Sequence, residues 1–108
     1  MIPTEVDHFC AHLRVRNYAP HTVESYALDL RLFFAQVDKP LAQISWREVD
    51  RFIQDQHRRG LAATTINRRL YAIKQFFDFL GEQERFSINP VKPSHYLKQG
   101  RPLPKKLS

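Results

Sequence analysis

Apolar side chains in this chain return every three or four residues in four separate stretches, and no two-residue alternation runs beyond a few positions. Such spacing lines one face of an α-helix, whereas a half-buried strand needs strict alternation. The pattern therefore predicts an all-α fold without a sheet. The first stretch, about 3–16, carries Val6, Phe9, Cys10 and Leu13 on one stripe. Pro3 suits its first turn, where a missing N–H costs nothing. Asn17, Tyr18 and Ala19 break it. The second stretch, about 20–37, begins at Pro20, carries Val23, Tyr26, Ala27, Leu30, Phe33, Phe34 and Val37, and stops at Asp38-Lys39-Pro40.

The third stretch opens on Ser45 with Glu48 three residues later. That is a capping box, in which each side chain satisfies an orphan backbone donor. Trp46, Val49, Phe52 and Ile53 are its predicted buried face. Arg58 and Arg59 suit the negative end of the helix dipole, and Gly60 supplies the left-handed residue that ends the helix. The fourth stretch, about 64–80, steps through Ile66, Leu70, Ile73, Phe77 and Leu80 and stops before Gly81. Its opposite face holds Thr64, Arg68, Tyr71 and Gln75. Residues 87–108 hold four of the seven prolines and read as an extended linker, which leaves 1–86 as the helical domain. Four striped helices with short connections form a bundle.

Length allows one domain with one core: the chain has 108 residues. The single cysteine, Cys10, excludes an internal disulfide framework, which suits a reducing, cytoplasmic setting. Neither a signal peptide nor a membrane-spanning apolar run is legible. Net charge is +6 and unevenly placed. Residues 1–44 carry four Lys/Arg against five Asp/Glu, net −1, and residues 45–108 carry thirteen against six, net +7. An excess confined to one half points to a polyanionic partner, against the plainer reading of a solvated basic surface.

Signs of catalysis are missing. Three scattered glycines make no phosphate loop, and no cysteine pair offers a metal site. His8 and His12 share a helical face but lack a visible third ligand. Tyr18, Tyr26, Tyr71 and Tyr96 lack the clustered cations that a tyrosine nucleophile needs. No cofactor, metal or small-molecule substrate is expected. The candidate binding residues lie at the start of the second helix and along the fourth. Thr64 and Thr65 offer hydroxyls beside free backbone N–H groups, a seat for phosphate. Arg68 and Gln75 carry paired donors that suit base edges, with Tyr71 and Lys74 beside them. Tyr18, His21, Thr22 and Ser25 surround the start of the second helix.

The string Asn17-Tyr18-Ala19-Pro20-His21-Thr22, then Tyr26, Asp29-Leu30 and Phe33, resembles the second helix of tyrosine recombinase core-binding domains of the phage-integrase and Xer type. Gly60-Leu61, Thr64-Thr65-Ile66-Asn67-Arg68-Arg69-Leu70, Ala72-Ile73-Lys74, Phe76-Phe77-Asp78-Phe79-Leu80 and Asn89-Pro90 extend the resemblance over nearly the whole chain. It implies a four-helix SAM-like orthogonal bundle whose second and fourth helices approach the major groove of double-stranded DNA. Tyr18, His21, Thr22 and Ser25 would then meet DNA from one element, and Thr64, Thr65, Arg68, Tyr71, Lys74 and Gln75 from the other. Arg101, Lys105 and Lys106 would add phosphate contacts from a linker leading to a catalytic domain. Ala19 and Ala63 stand where relatives often have a capping serine. The resemblance further implies strand exchange through a phosphotyrosyl intermediate in that C-terminal domain, not in this fragment, and other recombinase protomers as partners in a synaptic tetramer. In this reading Trp46 and Phe52 are core residues. Two rivals remain at this point. A helical protein-interaction module needs an exposed apolar patch, and a helix-turn-helix factor needs a very short turn and a dimerising element.

Overall fold

A computed structural model of the chain describes residues 2–83 and 89–97. Among them stand four helices: α1 (Glu5–Val15), α2 (Pro20–Gln36), α3 (Trp46–Arg58) and α4 (Ala63–Glu82). Single 3-10 turns occupy Leu41–Gln43 and Pro93–His95, and no strand occurs among the described residues. The fold is all-α, as the apolar spacing predicts.

Two helices end by the same local device. At Asn17 the backbone turns left-handed, with φ 66°, and the Tyr18 N–H reaches back to Leu13 O at 3.1 Å. At Gly60 φ is 83° and the Leu61 N–H reaches Gln56 O at 3.2 Å. Both closures satisfy carbonyls that the helix would leave without donors, and asparagine and glycine tolerate that conformation best. The start of α3 carries the expected capping box. The Ser45 N–H donates to Glu48 Oε1 at 2.8 Å, and the Arg47 N–H donates to Ser45 Oγ at 3.2 Å.

Two boundaries of α4 differ from the sequence reading. The helix starts one residue earlier, at Ala63, and continues through Gly81 to Glu82. Glycine disfavours a helix by about 1 kcal/mol. Burial of Phe79 and Leu80 in the preceding turn outweighs that.

Phenylalanine rings join the four helices. Phe9 of α1 meets Phe76 of α4 edge-on at 5.7 Å, and Phe34 of α2 meets Phe76 at 5.6 Å. Phe33 of α2 meets Phe52 of α3 at 5.3 Å. Such edge-to-face pairs add to the burial of large apolar area. α4 touches all three other helices, and its buried arc is wider than a single stripe, taking in Ala72, Phe76 and Phe79 as well.

Trp46 corrects the sequence reading. It is 42% exposed rather than core. As the first residue of α3 it lies outside the helix's apolar arc, and its ring carries Arg47 at 4.8 Å and Lys92 at 5.4 Å. The segment read as linker also behaves differently where it is described. Residues 89–97 lie along the bundle, with Val91 in the core and the Asn67 amide closing two hydrogen bonds to the Leu97 backbone, each 2.8 Å. The Asn89 Nδ2 donates to Lys74 O at 2.9 Å and to Asp78 Oδ1 at 2.8 Å.

Candidate nucleic-acid interface

The seam between α2 and α4 brings together Tyr18, Arg68 and Tyr71 of the polar residues that the sequence singles out. Asp29 meets Arg68 and Tyr26 meets Tyr71, so the two helices run antiparallel along it. Tyr18, Tyr26 and Tyr71 form a row of rings, with 6.3 Å between successive centroids. Tyr18 and Tyr71 are exposed, while Tyr26 is half-buried and backs onto Phe9. Burial pushes the Tyr26 hydroxyl above the usual phenol range, and Tyr71, Tyr18 and Asp29 push it further, so it stays protonated.

At the centre of the seam lies an ion pair. Asp29 is fully buried, and Arg68 keeps half of its side chain in solvent. The Arg68 Nε donates to Asp29 Oδ2 at 3.2 Å, and its Nη2 donates to Oδ1 at 2.9 Å. Arg69, the next residue, turns inward: its side chain is 16% exposed, its Nε lies 3.8 Å from the same Oδ1, and its Nη1 donates to Gln56 Oε1 of α3. One acid is thus shared by two guanidinium groups, which leaves the cluster with one net positive charge on the seam.

The remaining sequence candidates divide. Thr64 lies one turn before Arg68 and Gln75 one turn after Tyr71, on the same face; Thr64 is exposed and Gln75 half-buried. Thr64 and Thr65 fall inside the first turn of α4, behind the N-cap Ala62, and no side chain caps that helix. The start of α2 is likewise uncapped, with Ala19 at the N-cap, His21 exposed and Thr22 and Ser25 half-buried. Neither helix has an acid in its first turn, whereas α1 has Glu5 and Asp7 and α3 has Glu48. Lys74 leaves the seam. Its Nζ pairs with Asp78 at 2.8 Å, and it borders a hollow with Tyr71, Val91, Pro93 and Tyr96. The hydrogen bond from Lys74 to Asp78 holds the ammonium above its ordinary pKa. Arg101, Lys105 and Lys106 lie outside the described residues.

Asp29 and Arg69 are not among the candidate binding residues that the sequence offers. A signal for Asp29 exists: it is an acid within the stripe formed by Tyr26, Leu30 and Phe33, where every other residue is apolar or aromatic. Of the histidine pair on α1, His12 is engaged locally. His12 accepts a hydrogen bond from Arg16 Nε at 3.0 Å and rests on the Phe79 ring, and no group of three or more potential ligands occurs among the described residues.

The helices and their seam define an all-α, SAM-like four-helix domain. The chain belongs to the family of phage integrase N-terminal SAM-like domains, whose model matches residues 6–84. It is similar to the tyrosine recombinase XerC of Xanthomonas campestris pv. campestris (strain B100), 31% identical over 107 residues that cover 94% of this chain and 33% of that protein. It is similar also to the tyrosine recombinase XerC of Pseudomonas syringae pv. syringae (strain B728a), 33% identical over 109 residues that cover 94% of this chain and 36% of that protein. The chain therefore spans about a third of the length of the curated relatives it matches. No solved structure matches it with significance. Among the described residues no helix is long and apolar enough to cross a membrane.

Proposed function

We propose that this chain binds double-stranded DNA through the α2/α4 seam, as the core-binding part of a site-specific tyrosine recombinase. The observation that carries the reading is Arg68: a half-exposed arginine side chain, anchored from below by a buried acid, on a face flanked by exposed tyrosines and two uncapped helix starts. Uncapped helix starts favour anions, and a fixed arginine suits either a phosphate or a base edge. Family membership supports the same reading, because the relatives are tyrosine recombinases. Strand exchange, in this proposal, belongs to the part of those relatives that this chain does not match. A catalytic domain clamping the other side of the duplex and further protomers are the partners it implies.

Titration of a fluorescent duplex with the purified chain tests the proposal. Binding is expected at roughly micromolar affinity in low salt, weakening steeply as salt rises. No denaturation-resistant protein–DNA adduct is expected. Absence of binding, or an affinity indifferent to salt, would favour a helical protein-interaction module instead.

A further inference from the structure

Asp29 invites an explanation that stability alone does not supply. A carboxylate stripped of water is costly, and a well-packed apolar residue of similar volume commonly serves a core as well or better. The geometry of its partner supplies a reason. A guanidinium has five N–H donors in a flat fork. Asp29 engages the Nε side of Arg68, at 3.2 Å and 2.9 Å through Nε and Nη2. The end of the fork, carrying Nη1 and the second hydrogen of Nη2, stays unused by this pair. Asp29 is fully buried and the Arg68 side chain is 50% exposed, so the donors turned away from Asp29 are the ones turned away from the core.

We infer that Asp29 is a positioning residue that presents Arg68 to guanine in the major groove, an inference that rests on the DNA-binding reading above. The two parallel donors of the free edge match the O6 and N7 acceptors of guanine. Adenine sets an N6 donor against one of them, and cytosine offers a donor in place of the acceptor pair. An arginine already fixed by a buried acid loses less side-chain freedom on binding than a free one. Arg69 keeps the attraction for phosphate intact, since its guanidinium, held by Gln56, shares the Asp29 carboxylate and leaves the cluster net positive.

The test uses the full chain and a pool of duplexes with a randomised core, sequenced before and after capture. Total affinity for the same pool is read by fluorescence anisotropy. The wild type is expected to enrich guanine at one position by about tenfold. Asp29→Asn is expected to lose that enrichment while total affinity holds or rises, because one negative charge has gone. A purely electrostatic acid would raise affinity and keep the preference, and a purely structural one would lower both. Arg68→Lys preserves the charge and an ion pair but not the fork, so it too should lose the guanine enrichment. It carries the test if circular dichroism shows Asp29→Asn unfolded. In an Arg68→Ala background, adding Asp29→Asn should change base preference no further. Retention of guanine enrichment by folded Asp29→Asn overturns the positioning role, and its retention by Arg68→Lys overturns the guanine assignment. A wild type that binds duplexes without base preference overturns this inference and leaves the DNA-binding reading standing. A wild type that binds no duplex overturns that reading itself.

Discussion

The Arg68 guanidinium meets the buried carboxylate of Asp29 along its Nε side, joining α4 to α2 across 39 residues of sequence. Read by periodicity alone, Arg68 is a free surface residue whose removal leaves the bundle intact. The pair changes that expectation. Arg68→Ala leaves Asp29 buried with Arg69 as its remaining cation, 3.8 Å away. Half of Arg68 is solvated, so the cost falls below that of breaking a fully buried pair, at about 1–3 kcal/mol. Each kcal/mol lowers Tm by roughly 4–8 °C in a domain of this size. A thermal melt of Arg68→Ala should therefore show a folded but less stable protein. A Tm equal to wild type would mean that the pair adds nothing to stability.

Acid should weaken the start of α3. Glu48 is buried, and its pKa is pulled down to about 2, chiefly by the hydrogen bond from Lys39 Nζ at 2.7 Å and then by the Ser45 N–H. A carboxylate with a lowered folded pKa stabilises above its unfolded value and loses that contribution as pH falls towards the folded one. Stability should decline from about pH 4.5 towards about pH 2, and Glu48→Gln should flatten that part of the curve. Loss of the capping interactions in that variant should cost about 0.5–2 kcal/mol at neutral pH. Urea unfolding followed at several pH values measures both effects.

The segment 89–97 should loosen on mild acidification. His95 is buried, and its Nδ1 accepts the Lys92 N–H at 2.9 Å. Burial lowers its pKa below the ordinary 6.5; Asp50 of α3 and a backbone hydrogen bond with Trp46 oppose the shift, and Lys92 adds to it. A histidine with a lowered folded pKa holds fewer protons folded than unfolded, so stability is lost as pH falls below about 6.5. Protonation of Nδ1 also sets two donors face to face. Intrinsic amide exchange slows as pH falls, so the readout is protection relative to that intrinsic rate: the protection factors of the Leu97 and Lys92 amides should drop between pH 7 and pH 5. His95→Gln should remove most of that drop.

Salt dependence should separate phosphate contacts from base contacts. If four to six phosphates are neutralised, log affinity should fall against log salt with a slope of about −4 to −5. Lys105→Ala or Lys106→Ala should weaken all duplexes alike and make the slope shallower by about one. Arg68→Ala should instead change preference at one base pair. Anisotropy titrations at four salt concentrations decide the matter, and unchanged slopes in both lysine variants would remove the tail from the interface.

Much of this fold is legible in the chain itself because its causes are local. Val6, Phe9, Cys10 and Leu13 stripe α1, and all four are buried. Ser45 and Glu48 announce the start of α3, and Gly60 its end. Apolar spacing, capping and backbone preference act within one or two turns, so order along the chain suffices to specify them. What surrounds each helix is not local. Spacing along the chain puts Trp46 on the buried face, yet it lies outside, because the first residue of α3 falls beyond the arc that the other helices cover. Sequence order puts Lys74 in the set with Arg68, yet its ammonium pairs with Asp78 and borders the segment 89–97. The pairing of Asp29 with Arg68 depends on how α2 crosses α4. Helical periodicity tells which face a side chain occupies; the crossing of two helices decides what stands opposite it.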